Sequence, residues 1–276
     1  MKEIRISRVF NSDSGRAVII AIDHSLFLGN LKGIKDPQVI VKKLTQNRMD
    51  GIIMTDRTFK FTKKLFQGKE SPARILAIDY VLFSNVPGNF DNPFGYTLIS
   101  SVEEAVKWGF DMLKVLLIWG TDKNTQLTSI KTIAKLAGEC ERWEMPLMIE
   151  TVLWGEAIPE DKKTDPRILE DACRMAIEIG ADVLKIPYTG NMENFSAITN
   201  NLPVPVVILG GPKTNNDRDV LQTVKDSVDA GAKGIAFGRN VWQHEKMDAV
   251  LAALKDIVHC NKSVDAVIKK YLSDPS

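Results

Sequence analysis

Two lysines set within apolar runs are the residues of this chain best suited to chemistry. Lys185 lies in Gly180-Ala181-Asp182-Val183-Leu184-Lys185-Ile186-Pro187, and Lys114 lies in Gly109-Phe110-Asp111-Met112-Leu113-Lys114-Val115-Leu116, at the same offset from the same Gly-x-Asp start. Each run reads as a strand covered on both faces, and lysine is almost never fully buried without a reason. An apolar interior withholds the hydration an ammonium needs, so burial lowers the amine pKa and frees a nucleophile near neutral pH. That is the chemistry of a lysine that forms a Schiff base with a carbonyl. A lone strand-end lysine commonly snorkels its amine to water instead. The matched pair favours a shared interior position.

Such lysines need a scaffold that brings separate strands to one place. Short apolar runs recur at Ala17 to Asp23, Gly51 to Asp56, Arg74 to Tyr80, Met112 to Trp119, Pro146 to Trp154, Val183 to Tyr188, Pro205 to Gly210 and Gly234 to Arg239. They are apolar at nearly every position, as parallel strands buried between layers are. Helical segments lie between them with recognisable ends. Asp36-Pro37 is an N-cap followed by proline at N1, Ser101-Val102-Glu103-Glu104 is a capping box, and Gly109, Gly180 and Gly231 suit C-caps. A strand-helix unit repeated about eight times in roughly 250 residues predicts an α/β fold of the (β/α)₈ barrel type. One domain is expected over residues 1–276, with an extra helix at Val264 to Leu272. The alternative, an open doubly wound sheet binding a dinucleotide, lacks its Gly-x-Gly-x-x-Gly after a strand. Ser84 to Thr97, rich in Asn, Pro and Gly, is expected as a long loop after the third strand, and loops of that length are usually functional.

The bulk composition narrows the function classes. With 44% hydrophobic and 26% charged residues among 276, the chain has an ordinary globular make-up. Lys and Arg number 36 against 35 Asp and Glu, so no overall field recruits nucleic acid or an anionic membrane, and any anion site must be local. Cys140, Cys173 and Cys260 are odd in number and form no Cys-x-x-Cys pair, which argues against a disulfide framework or a zinc site. His24, His244 and His259 form no His-x-x-x-His pair, so neither a metal nor another cofactor is expected. Met1-Lys2-Glu3-Ile4-Arg5 opens no apolar signal, and no uncharged stretch approaches membrane-spanning length. A cytoplasmic homo-oligomer acting on a small molecule is the expectation.

In a (β/α)₈ barrel, inward side chains form layers contributed by alternate strands, and functional groups gather at the C-terminal strand ends. Lys114 and Lys185 fall on the fourth and sixth strands, so they are expected in one layer, each ammonium disfavouring protonation of the other. Glu150, which interrupts Leu147-Met148-Ile149-Glu150-Thr151 on the strand between them, is placed to pair with a lysine or to shuttle a proton. The plainer alternative is a salt bridge to Lys114 with no chemical step. Asp23, closing the first strand, is a second carboxylate for substrate hydroxyls or proton transfer. His24 follows it and by strand alternation points to the other face, which suggests loop anchoring, with a substrate contact as the alternative. Arg57, after the second strand, either meets an anionic substrate or is simply solvated. Gly210-Gly211 and Gly238-Arg239 place glycines and a guanidinium at the ends of the seventh and eighth strands, where barrels commonly bind phosphate. Two tight turns would explain the glycines without a ligand.

Several of these segments resemble the archaeal-type class I fructose-bisphosphate aldolases and their relative, the autoinducer-2 degradation thiolase. They are Arg5-Ile6-Ser7-Arg8-Val9-Phe10-Asn11, Ala21-Ile22-Asp23-His24, Leu209-Gly210-Gly211-Pro212-Lys213-Thr214 and Phe237-Gly238-Arg239-Asn240-Val241-Trp242-Gln243. The resemblance implies that Lys185 is the Schiff-base lysine and that Gly210, Gly211, Gly238 and Arg239 hold a phosphate. The middle of the chain departs from that pattern. Lys114 and Glu150 are similar instead to the strand-four lysine and strand-five glutamate of class I tagatose-bisphosphate and sulfofructose-phosphate aldolases. Where the archaeal-type enzymes carry Tyr-Pro-Arg-Gly, this chain has Val152-Leu153-Trp154-Gly155. Valine cannot transfer a proton, which leaves Glu150 or Lys114 for that role. The implied activity is a metal-independent class I aldolase on a phosphorylated ketose. The alternatives are a Schiff-base acyl transfer like that of the thiolase and a barrel that binds sugar phosphate without turnover.

Overall fold

The computed structural model describes residues 1–214 and 216–273. Its ten strands are β1 (Ala17–Ala21), β2 (Gly51–Met54), β3 (Ala73–Ala77), β4 (Asp79–Leu82), β5 (Gly95–Leu98), β6 (Met112–Ile118), β7 (Leu147–Val152), β8 (Val183–Ile186), β9 (Val206–Leu209) and β10 (Gly234–Phe237). Eight of them close into a parallel barrel in the order β1-β10-β9-β8-β7-β6-β3-β2, the (β/α)₈ architecture expected from the alternating runs. β4 and β5 stand apart as an antiparallel hairpin above β3. This corrects the loop expected over Ser84 to Thr97. Its last residues are strand, Tyr96 pairing with Val81 and Thr97 with Tyr80.

The helices are α1 (Lys2–Val9), α2 (Ser25–Leu28), α3 (Pro37–Gln46), α4 (Asp56–Thr62), α5 (Val102–Lys107), α6 (Lys123–Trp143), α7 (Pro166–Ile179), α8 (Met192–Asn201), α9 (Asp217–Asp229), α10 (Arg239–Trp242), α11 (Met247–Cys260) and α12 (Val264–Val267). Asp36 caps α3 by accepting from the Gln38 and Val39 amides at 2.8 and 3.3 Å, and Ser101 caps α5 from Glu104 N–H at 3.2 Å. Glu104 does not complete the capping box; its carboxylate accepts from Ser100 Oγ. Gly180 ends α7 at φ 125°, where a Cβ would lie 2.5 Å from that of Ala137, so the turn into β8 needs glycine on two counts. The extra C-terminal helix is present as α12 continued by a π-helical turn, Ile268–Leu272.

The repeated Gly-x-Asp start has a structural role. Asp111 accepts the Arg74 amide at 2.9 Å, and Asp182 accepts the Leu147 amide at 2.8 Å, so each aspartate locks the foot of the strand beside its own. Asp50 does the same for Val18 at 2.6 Å. Helix α1, not foreseen as a helix, crosses the bottom of the barrel. Its Arg8 pairs with Asp111 at 2.7 Å and its Lys2 with Asp182 at 2.8 Å, while Val9 buries against Ala17, Ile75 and Met112 of the interior. Alternate strand residues such as Val18, Ile20, Leu113 and Leu184 pack outward on the helices. Among the described residues no helix is long and apolar enough to cross a membrane.

Candidate active site

Lys114 is the third residue of β6 and Lys185 the third of β8. Lys114 is level with Met148 in register, and through it with Val183, two residues short of Lys185. A barrel of this type staggers each strand by about one residue against the next, so two strands of stagger bring the lysines to one height. Both face the interior, 2% and 5% exposed. The common layer is as expected, but the ammonium groups do not face each other bare. The Glu150 carboxylate of β7 stands between them, with Oε2 2.8 Å from Lys114 Nζ and Oε1 2.9 Å from Lys185 Nζ. Asp23 Oδ2 lies 3.5 Å from the far side of Lys114. The result is a buried chain of alternating charge running Asp23, Lys114, Glu150, Lys185.

Burial pushes the Lys114 amine down, but Glu150 first, then Asp23 and Asp79, outweigh it and hold the group above its ordinary range. It stays an ammonium. Burial likewise raises Asp23 and Glu150, and the neighbouring cations reverse this: Lys114 leads at both, with Lys185 adding to it, so each carboxyl sits below its usual range. A carboxylate bonded to an interior amine can take a proton from it, which is what a nucleophilic lysine requires.

Asp79, at the start of β4, is a third interior carboxylate that the apolar-run pattern did not single out. It is fully buried; Oδ2 accepts the Leu116 amide at 2.6 Å, and Oδ1 has no hydrogen-bond partner among the described residues. The hydroxyl of Tyr96 from the paired strand lies close to it, buried and also outside hydrogen-bond geometry. Desolvation pushes Asp79 up to about 6, against the pull of Lys114. The signal for it was a charge inside Ile78-Asp79-Tyr80-Val81-Leu82, a run that otherwise reads as core.

Asp23 and His24 share a turn rather than a strand, because β1 ends at Ala21. The alternation argument therefore does not apply, and both side chains border the cavity. His24 Nδ1 is 3.5 Å from Asp23 Oδ1, a contact without a hydrogen bond, and its ring meets Trp242 edge-on at 5.4 Å. Trp242 is anchored by donating to Ala21 O at 3.0 Å. Gly238 makes room for this stack, since a Cβ there would fall 2.5 Å from His24 Cε1.

Gly210, Gly211, Gly238 and Arg239 come together at the ends of β9 and β10. Asn240, 5% exposed, clamps this turn by donating to Gly210 O at 2.7 Å and Pro212 O at 3.0 Å, and by accepting the Thr214 amide at 2.9 Å. Arg239 Nε is buried with no partner among the described residues, and burial lowers the guanidinium from its ordinary value. A buried donor without an acceptor is costly, and this one borders the cavity.

The cavity over these groups measures about 650 Å³, with an adjoining inner lobe of about 190 Å³ bordered by Asp23, Lys114, Glu150 and Lys185. Phe83 and Phe90 of the β4–β5 loop and Trp154 after β7 also border both, side chains that sequence reasoning left without a role. Arg57 does not belong to the site. Thr55 caps α4 immediately after β2, which turns Arg57 outward, 74% exposed and 3.6 Å from Asp56. Val152 is buried against the cluster of Phe83, Leu116 and Ile118, on the same interior face as Glu150.

Compared with known proteins, residues 17–244 match the DeoC/LacD family aldolases. A protein of Saccharolobus solfataricus described as an uncharacterised aldolase is 33% identical over 268 residues, 97% of each chain. The 2-amino-4,5-dihydroxy-6-oxo-7-(phosphonooxy)heptanoate synthase of Streptomyces griseus is 30% identical over 258 residues, 94% of this chain and 90% of that one. Among solved structures, a Schiff-base-forming fructose-1,6-bisphosphate aldolase superposes with a TM-score of 0.80 at 28% identity, covering 94% of this chain and all of that one.

Proposed function

This chain belongs to the DeoC/LacD family of class I aldolases, and from that premise we propose that it makes or breaks a carbon–carbon bond in a phosphorylated ketose through an imine on Lys185. The observation that carries the assignment is the Glu150 carboxylate bonded at once to Lys185 and to Lys114 on the cavity floor. Lys114 is ion-paired to two carboxylates, Glu150 and Asp23, and keeps its proton. Lys185 has one, at 2.9 Å, and that carboxylate can accept the proton Lys185 must lose before attack.

In the cleavage direction, the neutral Lys185 amine adds to the ketone carbon, and the carbonyl oxygen leaves as water. The iminium then accepts the electron pair of the breaking C3–C4 bond, while the C4 hydroxyl gives up its proton and becomes an aldehyde. Protonation of the enamine and hydrolysis return the lysine and the ketone. Glu150 is the group we assign to these proton transfers, since Val152 stands where the resembled enzymes carry tyrosine. Asp23, bound to Lys114, is assigned to substrate hydroxyls. Arg239 and the glycine turn take the phosphate, a contact remote from the reacting bond that positions the carbonyl over Lys185. The name of the Streptomyces relative's product supports this order, because its one phosphate is on the carbon next to the ketone.

The test is borohydride reduction in the presence of dihydroxyacetone phosphate, followed by peptide mass mapping. The expected result is one stable adduct, on Lys185. An adduct on Lys114 alone, or none with any phosphorylated ketone, would overturn the assignment.

A further inference from the structure

The two sides of the cavity differ in electrical character, and the difference bears on which half of the substrate can be phosphorylated. In the closed strand order β3 lies diametrically opposite β9, so the hairpin loop that follows β3 faces the glycine turn that follows β9. That loop brings Asp91 and Asn92 to the cavity, where Phe90 meets Trp154 at 6.4 Å. The segment after β7 adds Glu160, Lys163 and Thr164. Lys163 is engaged by Glu160 at 2.5 Å. Two carboxylates, Asp91 and Glu160, against one ammonium, Lys163, leave this side at −1, with no unpaired cation among the described residues that border it. Across the cavity, Arg239 has no carboxylate partner among the described residues and offers a buried free donor.

A phosphate dianion on the hairpin side would give up hydration without gaining a guanidinium, and would face the Asp91 charge. Hydroxyl or amino groups fare better there, since Asn92, Thr164 and the two carboxylates supply both donors and acceptors. We propose that this side is an acceptor subsite for an aldehyde that carries no phosphate, with Asp91 and Glu160 as the residues that turn a phosphorylated aldehyde away. The inference rests on the donor reading above: the enamine of a phosphorylated ketone, held on Lys185, attacks the aldehyde carbon. The new C–C bond forms as the aldehyde oxygen takes a proton, and water releases the product from the lysine.

The experiment has two arms. Borohydride trapping with dihydroxyacetone phosphate alone reports on the donor. Steady-state addition of dihydroxyacetone phosphate to D-glyceraldehyde and to D-glyceraldehyde 3-phosphate reports on the acceptor. We expect kcat/KM to be about tenfold or more in favour of the unphosphorylated aldehyde, the scale on which exposed like charges act on a dianion in water. The double variant Asp91→Lys, Glu160→Gln frees Lys163 and should move that ratio about tenfold or more toward the phosphorylated aldehyde. Both side chains are exposed, so the fold tolerates the change. Absence of a trapped imine overturns the donor reading and this inference with it. A trapped imine with a wild-type preference for the phosphorylated aldehyde, or a ratio the double variant leaves in place, overturns the acceptor subsite alone.

Discussion

Replacing Lys114 by methionine tests whether the second lysine helps to make the first one nucleophilic. The substitution keeps the length of the side chain and removes its charge. Contacts of 2.8 and 2.9 Å through the two oxygens of one carboxylate hold the ammonium groups no more than about 8 Å apart. At an effective dielectric constant of about 20, that separation gives ~2 kcal/mol of repulsion, the free energy of a ~30-fold change in an equilibrium. Removing Lys114 also leaves Glu150 wholly to Lys185, which acts in the same direction. Lys114→Met should therefore move the midpoint for imine formation to higher pH, and slow trapping at neutral pH by ~30-fold. Lys114→Arg, which preserves the charge, should restore most of the difference. The assay is borohydride trapping of dihydroxyacetone phosphate across pH, read by mass at Lys185, with a melting curve to confirm folding. A midpoint that stays put or falls would refute the reasoning, because it would mean that Lys114 only neutralises Asp23 and Glu150.

Arg239→Ala should weaken phosphorylated donors by about 2 kcal/mol in kcat/KM, the scale of a lost charge-assisted contact, and leave trapping of hydroxyacetone unchanged; equal losses on both would remove Arg239 from the phosphate site. Asp79→Asn addresses stability. The folded carboxyl titrates near 6 against an ordinary 3.8, so the fold favours its protonated form; the stability it contributes is complete below pH 4 and is lost as pH rises through about 6. Asparagine keeps an acceptor for Leu116 N–H, so the variant should gain up to about 3 kcal/mol at pH 8 and little at pH 4, measured by urea unfolding at both. An equal effect at both pH values would show that Asp79 acts through packing and not through its charge.

The parts of the site legible in the sequence are those in which a charge interrupts an apolar strand. Lys114, Glu150 and Lys185 each stand out because a residue that covers both faces of a parallel strand is normally apolar, and a period of two assigns the face. The glycine turn at the ends of β9 and β10 was legible, at Gly238 because the His24 ring occupies the space of a side chain. Elsewhere the local pattern was ambiguous. Arg57 read as a strand-end charge, but Thr55 starts a helix one residue after the strand, and a helix's first turn points where a strand's continuation would not. His24 read as facing away because the strand was taken through Asp23, whereas pairing stops at Ala21. Asp79 and Tyr96 meet only because β4 folds back on β5, a long-range pairing across the Asn- and Pro-rich loop that no local period encodes.

The most informative repeat was legible as a pattern before its cause was visible. Gly109-Phe110-Asp111 and Gly180-Ala181-Asp182 each begin a strand whose third residue is a lysine. The glycine ends the preceding helical segment, and the aspartate accepts the amide at the foot of the neighbouring strand, which fixes how far the next strand starts up the barrel. With both starts fixed in this way, the stagger of the barrel lifts the two ammonium groups to the same height, and Glu150 from the strand between reaches both. Helix α1 then pins the same two aspartates from below through Arg8 and Lys2. The two interior lysines are thus levelled by carboxylates at the foot of the barrel. A change at Asp111 or Asp182 would therefore reach the site through register, at a distance from any substrate.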